Sequence, residues 1–289
     1  MKKKDSTEPS TVASSSNQST REIHPYPFEA STVQANPIKN LIDSLSNFLM
    51  EANLEFSPSG IKILAIDPNS RACIHLKLNS ENFETYYCEG KRIVGVSFNS
   101  LRKITHTIES GDSLKIIFPR DDQTRMSICI YSNDQPVYTN YDLKFMRISE
   151  EPISLPNLKY RSMITMPSSL FHKTLRDLSS VGVTCVNITT QNEIVIFDGK
   201  SEISEIKASR IIKSSDEQSI TFENKNNENS TIINASFNLK ILLTFAKCSN
   251  LGHTVNICMD NDAPITINSR VGSLGELHLI LVPRVDSTD

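Results

Sequence analysis

The feature that most constrains this fold is a stretch that the chain repeats. Ser97–Phe118 reads SFNSLRKITHTIESGDSLKIIF, and Ser236–Met259 reads SFNLKILLTFAKCSNLGHTVNICM, the shared Ser-Phe-Asn recurring 139 residues on (97 to 236). In each copy a basic amphipathic segment is followed by a polar turn and an alternating apolar strand. Phe98, Leu101, Ile104 and Ile108 fall on one side of a 3.6-residue helix, which leaves Arg102, Lys103 and His106 on the other. In the second copy Lys240, Thr244 and Lys247 form one stripe, while Leu242 and Phe245 point elsewhere. A repeated strand–helix–strand unit in 289 residues predicts two similar domains, each presenting a basic helix face.

The flanking sequence supports that division. Residues 1–26 are Ser/Thr-rich, lack apolar periodicity and read as a disordered tail. Domain 1 is expected over 27–146, with a strand at Phe28–Val33 and a helix from Asn36-Pro37 to about Met50. Strands follow at Ile61–Ile66, Ala72–Leu78, Thr85–Glu89, Arg92–Phe98, Met126–Tyr131 and Val137–Met146. Residues 147–159 carry Pro152 and Pro156, which interrupt helix and ladder alike, and form a linker. Domain 2 is expected over 160–285, before a short tail at 286–289. It restarts with a strand at Tyr160–Met166 and a helix from Pro167-Ser168 to Ser180. Strands at Val183–Thr189, Ile194–Phe197, Glu202–Ile211, Ser219–Glu223, Thr231–Phe237, Ile265–Asn268 and Leu277–Val282 complete it. Strands outnumber helices and most connections are too short for crossovers. The fold class is therefore α+β, two helices per domain packed on antiparallel sheets.

Charge is segregated. The four helical segments 37–50, 99–108, 168–180 and 237–250 carry net charges of zero, +2, +1 and +2, in a chain whose total is −3. Basic helices on an acidic background attract phosphates in a non-specific, salt-sensitive way. A few lysines on one solvated helix would mean little; the recurrence of the feature is what gives it weight. Few aromatic side chains accompany these faces, which favours the backbone of duplex over stacked single strands.

Catalytic signatures are absent. The histidines have no HExxH or other paired metal spacing, and no phosphate-cradling Gly-rich loop occurs. Asp121-Asp122 and Glu150-Glu151 read as solvated charge, and His75 as a structural side chain. No enzyme, cofactor or metal is expected. The six cysteines include no CxxC pair and read as reduced thiols. Without a secretory signal or a run of 18 apolar residues, the chain reads as soluble, intracellular and free of membrane partners.

Beyond these patterns, Phe28–Pro283 resembles the proliferating cell nuclear antigen family, the eukaryotic DNA sliding clamps. The matching segments are FEA at Phe28–Ala30, SGIKILAIDPNS at Ser59–Ser70, FETYYCE at Phe83–Glu89 and SLRKI at Ser100–Ile104. YDLKFM at Tyr141–Met146, MPSSLF at Met166–Phe171, RDLSSVG at Arg176–Gly182 and LVPR at Leu281–Arg284 continue the match. The resemblance implies a homotrimeric ring of two-domain subunits, with helices lining the hole and sheets on the rim. Duplex DNA passes through, contacted without base reading. It implies too that a clamp loader opens the ring and that DNA polymerase and other replication and repair proteins are tethered to it. The nucleus is the implied location, or a viral replication site in an infected cell. A subunit of a heterotrimeric checkpoint-type clamp, and a clamp-like scaffold without DNA binding, remain open alternatives.

By motif match the DNA-facing residues are Lys39, Arg102, Lys103, His106, Lys173, Arg176, Lys240 and Lys247. His106 replaces a usual lysine, and Asn40 and Ser46 occupy positions that are often basic. A partner-peptide pocket is implied at Ile66, Asp67, Ile153, Leu155, Pro264, Leu281, Val282 and Pro283, with Arg71 where the family prefers an apolar residue. Gln191 occupies the place of the family's ubiquitin-accepting lysine. Ring closure implies pairing Val137–Phe145 or Met126–Tyr131 with Glu202–Ile212 of a neighbouring subunit.

Overall fold

The structure, a computed structural model, describes residues 24–66, 72–149, 158–201, 205–215, 219–224, 232–248, 251–261 and 263–284. In the first half, β1 (Phe28–Thr32) leads into α1 (Ala35–Leu45). Strands β2 (Glu51–Ser57), β3 (Gly60–Ile66), β4 (Ala72–Asn79), β5 (Thr85–Cys88) and β6 (Arg92–Ser97) follow. Helix α2 (Phe98–Thr105) and strands β7 (Ser113–Phe118), β8 (Arg125–Tyr131) and β9 (Tyr138–Lys144) close this half. The second half repeats the order: β10 (Ser162–Pro167), α3 (Ser168–Ser180), β11 (Cys185–Gln191), β12 (Ile194–Lys200), β13 (Lys207–Lys213), β14 (Thr221–Asn224), β15 (Ile233–Asn238), α4 (Leu239–Cys248), β16 (Thr254–Met259), β17 (Ile265–Val271) and β18 (Gly275–Leu281). All the recorded strand pairs are antiparallel.

The sheet topology makes the repeat explicit. One sheet runs β5-β1-β7-β8-β9 and another β13-β12-β11-β15. The third, of nine strands, runs β14-β10-β16-β17-β18-β4-β3-β2-β6. Its first five strands are the second-half counterparts of the five-stranded sheet. Its last four are the first-half counterparts of the four-stranded one. The halves join where β18 pairs with β4, from Gly275↔Leu78 to Leu281↔Ala72. This seam is close: a Cβ on Gly275 would lie 1.9 Å from the Lys77 carbonyl oxygen, so only glycine fits there.

Two helix ends differ from expectation for a local reason. The first helix was expected to reach Met50 but stops at Leu45. Ser46 Oγ and Asn47 Nδ2 donate to Asp43 O (2.8 and 2.9 Å), which competes with helix propagation. The released chain forms β2, which the sequence reading passed over although Ala52, Leu54 and Phe56 alternate inward. Helix α2 stops at Thr105 rather than 108, and the hydroxyls of Thr105 and Thr107 donate back to Arg102 O and Ile104 O. The strand expected at Glu202–Ile211 lies later, at Lys207–Lys213, and 202–204 fall outside the described residues. Of the predicted tail, 1–23 also lie outside. His24 is held, stacked on Tyr87 at 3.9 Å with Arg120 donating to its carbonyl.

The core lies between the sheets and a single layer of helices. Helix α1 packs on both α2 and α4, and α4 packs on α3, giving the row α2-α1-α4-α3 across both halves. Helix spacing supplies the apolar stripes: Ile38, Leu41, Ile42 and Leu45 in α1; Phe98 and Leu101 in α2; Phe171, Leu175 and Leu178 in α3; Leu239, Leu242, Phe245 and Ala246 in α4. All of these are buried against inward residues of the sheets, such as Ile63, Ile74, Ile257 and Leu279. Each fully buried Leu, Ile or Phe contributes about 1.5–3 kcal/mol. The outward faces of the four helices carry exposed polar residues, among them Asn40, Arg102, Lys103, Lys173, Arg176 and Lys240.

Candidate functional site

The exposed helical surface carries the predicted cations. Arg102, Lys103 and His106 project from α2, Lys173 and Arg176 from α3, and Lys240 and Lys247 from α4, all of them exposed. Their partners divide them into two groups. Arg102 Nε contacts Asp43 Oδ1 of α1 at 3.1 Å. Lys173 Nζ lies 2.6 Å from Asp177 Oδ2, one turn on, and Arg210 of β13 reaches the same oxygen at 2.9 Å. Hydrogen bonds from Lys173 first and Arg210 second hold the Asp177 carboxyl below its ordinary range. Lys103, Arg176, Lys240 and Lys247 have no ion-pair partner among the described residues.

Lys39 is placed differently from its expected role. It is half-buried, and its Nζ donates to Ile108 O at 2.6 Å and His106 O at 3.3 Å. These carbonyls lie at and just beyond the end of α2, where helical oxygens lack intrahelical donors. Lys39 therefore ties α1 to the end of α2 instead of standing free over the surface. Sequence reasoning missed Asp43, Asp177 and Arg210. Asp177 was legible as the i+4 partner of Lys173; the other two contacts are tertiary.

The opposite, outer face of the nine-stranded sheet holds the predicted pocket residues. Ile66 (43% exposed) sits opposite Cys73, Cys73 opposite Ile280, and Ile280 opposite Thr266, giving a row of mainly apolar side chains across β3, β4, β18 and β17. Val282 (51% exposed), Pro264 and Pro283 lie at the same end of the sheet. Leu281, expected in the pocket, is 1% exposed and belongs to the core. Strand alternation sends 277, 279 and 281 inward and 278 and 280 outward, so Ile280 takes the outward place beside Ile66 and Val282 that was expected of Leu281. Asp67, Arg71, Ile153 and Leu155 lie outside the described residues.

A row of helices bearing unpaired cations on one face, backed by sheets with an apolar patch on the other, defines the class of two-domain DNA clamps. Models of the proliferating cell nuclear antigen N-terminal and C-terminal domains match residues 27–152 and 154–284. The chain belongs to the proliferating cell nuclear antigen family, and it is a DNA sliding clamp. It is 29% identical over 257 residues to a probable DNA polymerase sliding clamp of Paramecium bursaria Chlorella virus 1, covering 89% of this chain and 96% of that one. Identity to the proliferating cell nuclear antigen of Chaetomium thermophilum is 28% over 257 residues, covering 89% and 98%. The crystal structure of the Entamoeba histolytica protein superimposes with a TM-score of 0.80 at 21% identity, covering 90% of this chain and all of that one, and shares its fold.

Proposed function

We propose that three copies of the chain close into a ring around duplex DNA, held to phosphates by Lys103, Arg176, Lys240 and Lys247. Arg102, Lys173, His106 and Lys39 support that face. The ring tethers DNA polymerase and other replication or repair proteins, whose peptides dock at Ile66, Ile280, Val282, Pro264 and Pro283. A clamp loader opens it, in the nucleus or at a viral replication site, and the ring itself performs no catalysis.

One observation carries this reading. Strands β18 and β4 pair within the chain, and their counterparts β9 and β13 are both sheet edges. Exposed apolar side chains accompany these edges: Val137 (55%) and Tyr138 (62%) at one, Ile206 (47%) and Ile211 (59%) at the other. Pairing β9 of one chain with β13 of the next would extend five strands by four, reproducing the nine-stranded sheet of the seam and hiding both edges. Light scattering of the purified chain tests this. Three chain masses are expected, reduced to one by Ile211→Asp. A wild-type chain that stays monomeric would sink self-closure and favour a ring shared with other subunits.

A further inference from the structure

The outer face of the seam carries a second row of side chains beside the apolar one, and it is polar. Thr165, Asn256, Asn268, His278 and His75 stand opposite one another in turn across β10, β16, β17, β18 and β4. His75 and His278 form a directly paired position between antiparallel strands, their ring centroids 5.5 Å apart. Each is half-buried, and each belongs to a different half of the molecule.

We propose that His75 and His278 form a two-point chelating site for a divalent transition-metal ion of the zinc, nickel or copper type. The ion would clip the two halves together at the β18–β4 seam.

Three features support the assignment. Opposed imidazoles on neighbouring strands bring two nitrogen donors within reach of one ion, and imidazole suits these borderline metals more than calcium or magnesium. The Glu276 carboxylate lies 3.3 Å from His278 Nε2, the kind of contact that orients a ligating imidazole. Asn268 stands opposite His278, and its Oδ1 is a buried acceptor with no hydrogen-bond partner.

Lys62 and Lys77 oppose any cation, while Glu276, opposite Lys77, offsets part of that field; Arg270 lies opposite Glu276 on its other side. Cys73 lies two residues from His75 on the same face, opposite Ile280 in the neighbouring apolar row. The described residues contain no group of three or more His, Cys, Asp or Glu donors, so water fills the remaining positions of the ion.

The test is calorimetric titration of the full chain with zinc chloride at pH 7.5, paired with thermal melting with and without zinc. One ion per chain and a higher melting temperature with zinc are expected. Each of His75→Gln and His278→Gln should weaken binding at least about tenfold, because loss of a ligating nitrogen costs no less than loss of an orienting partner. His172→Gln, on α3 in the helical layer, should alter neither zinc uptake nor the melting shift. Zinc uptake and melting shifts equal to wild type in the His75→Gln/His278→Gln double variant would overturn the site, as would no uptake by the wild type. Should either variant fail to fold, imidazole NMR signals of the wild type decide the matter. Zinc must perturb those of His75 and His278; perturbation confined to other histidines rejects the proposal.

Discussion

The two halves of the helical face are built alike and spend their cations differently. In the first half Lys39 is held by the carbonyls at the end of α2, and Arg102 by Asp43, which leaves Lys103 as the free lysine beside His106. In the second half Lys173 shares Asp177 with Arg210, while Arg176, Lys240 and Lys247 stand unpaired. The charge count of the four segments already includes both aspartates, so the total is unaltered. What changes is where mobile positive charge is available to a passing phosphate. In the proposed ring, DNA is therefore expected to be gripped mainly through the second domains.

The largest expected effect tests that asymmetry directly. The triple change Arg176→Ala, Lys240→Ala, Lys247→Ala removes three free cations per chain and touches none of the recorded ion pairs. Retention on circular duplex DNA, measured against salt, should lose roughly 0.9 of log–log slope for every phosphate contact removed. A slope equal to wild type would mean that these residues do not meet DNA. Lys103→Ala removes the one lysine of the first-half helices that has neither an ion pair nor a carbonyl partner among the described residues. Its effect should run in the same direction and be about a third as large per chain. If Lys103 alone matched the triple variant, the comparison of halves would fail.

A third change moves the balance the other way. Asp43→Asn releases Arg102 from its ion pair on a surface where that pair is exposed and therefore weak, worth about 0–1 kcal/mol. Folding stability should scarcely change, while the salt slope steepens as Arg102 finds phosphate, by at most roughly 0.9 per residue engaged. Unchanged retention would show that Arg102 does not reach the duplex even when freed.

These distinctions mark how far the sequence could be read. The repeat, the α+β class and the buried stripes were legible because helix and strand periods are local properties. The Ile61–Ile66 and Ala72–Leu78 strands could be placed by alternation alone. β2 was equally legible, since Ala52, Leu54 and Phe56 alternate, but it was masked by running α1 on to Met50. Whether a lysine is free was not legible. The partners of Lys39 and Arg102 come from elements brought together only by packing α1 against α2. The same holds for His75 and His278, which become neighbours only at the seam between halves. Leu281 was expected in the pocket through sequence likeness to a family segment, and strand alternation turns it inward and Ile280 outward.

The smallest expected effect separates a lysine that positions from one that touches DNA. Lys39→Met keeps the apolar stem of the side chain and removes the donor to Ile108 O and His106 O. Those carbonyls then depend on water, and the favourable placing of a cation at a helix C-terminus is lost, a cost of about 1 kcal/mol. Thermal melting should register this loss. The salt slope of DNA retention should stay at its wild-type value, since a lysine already held by two carbonyls releases no counterion from phosphate. A slope reduced as much as in Lys103→Ala would return Lys39 to the DNA-facing set and even out the two halves. Unchanged stability with an unchanged slope would show that the end of α2 needs no tie to α1.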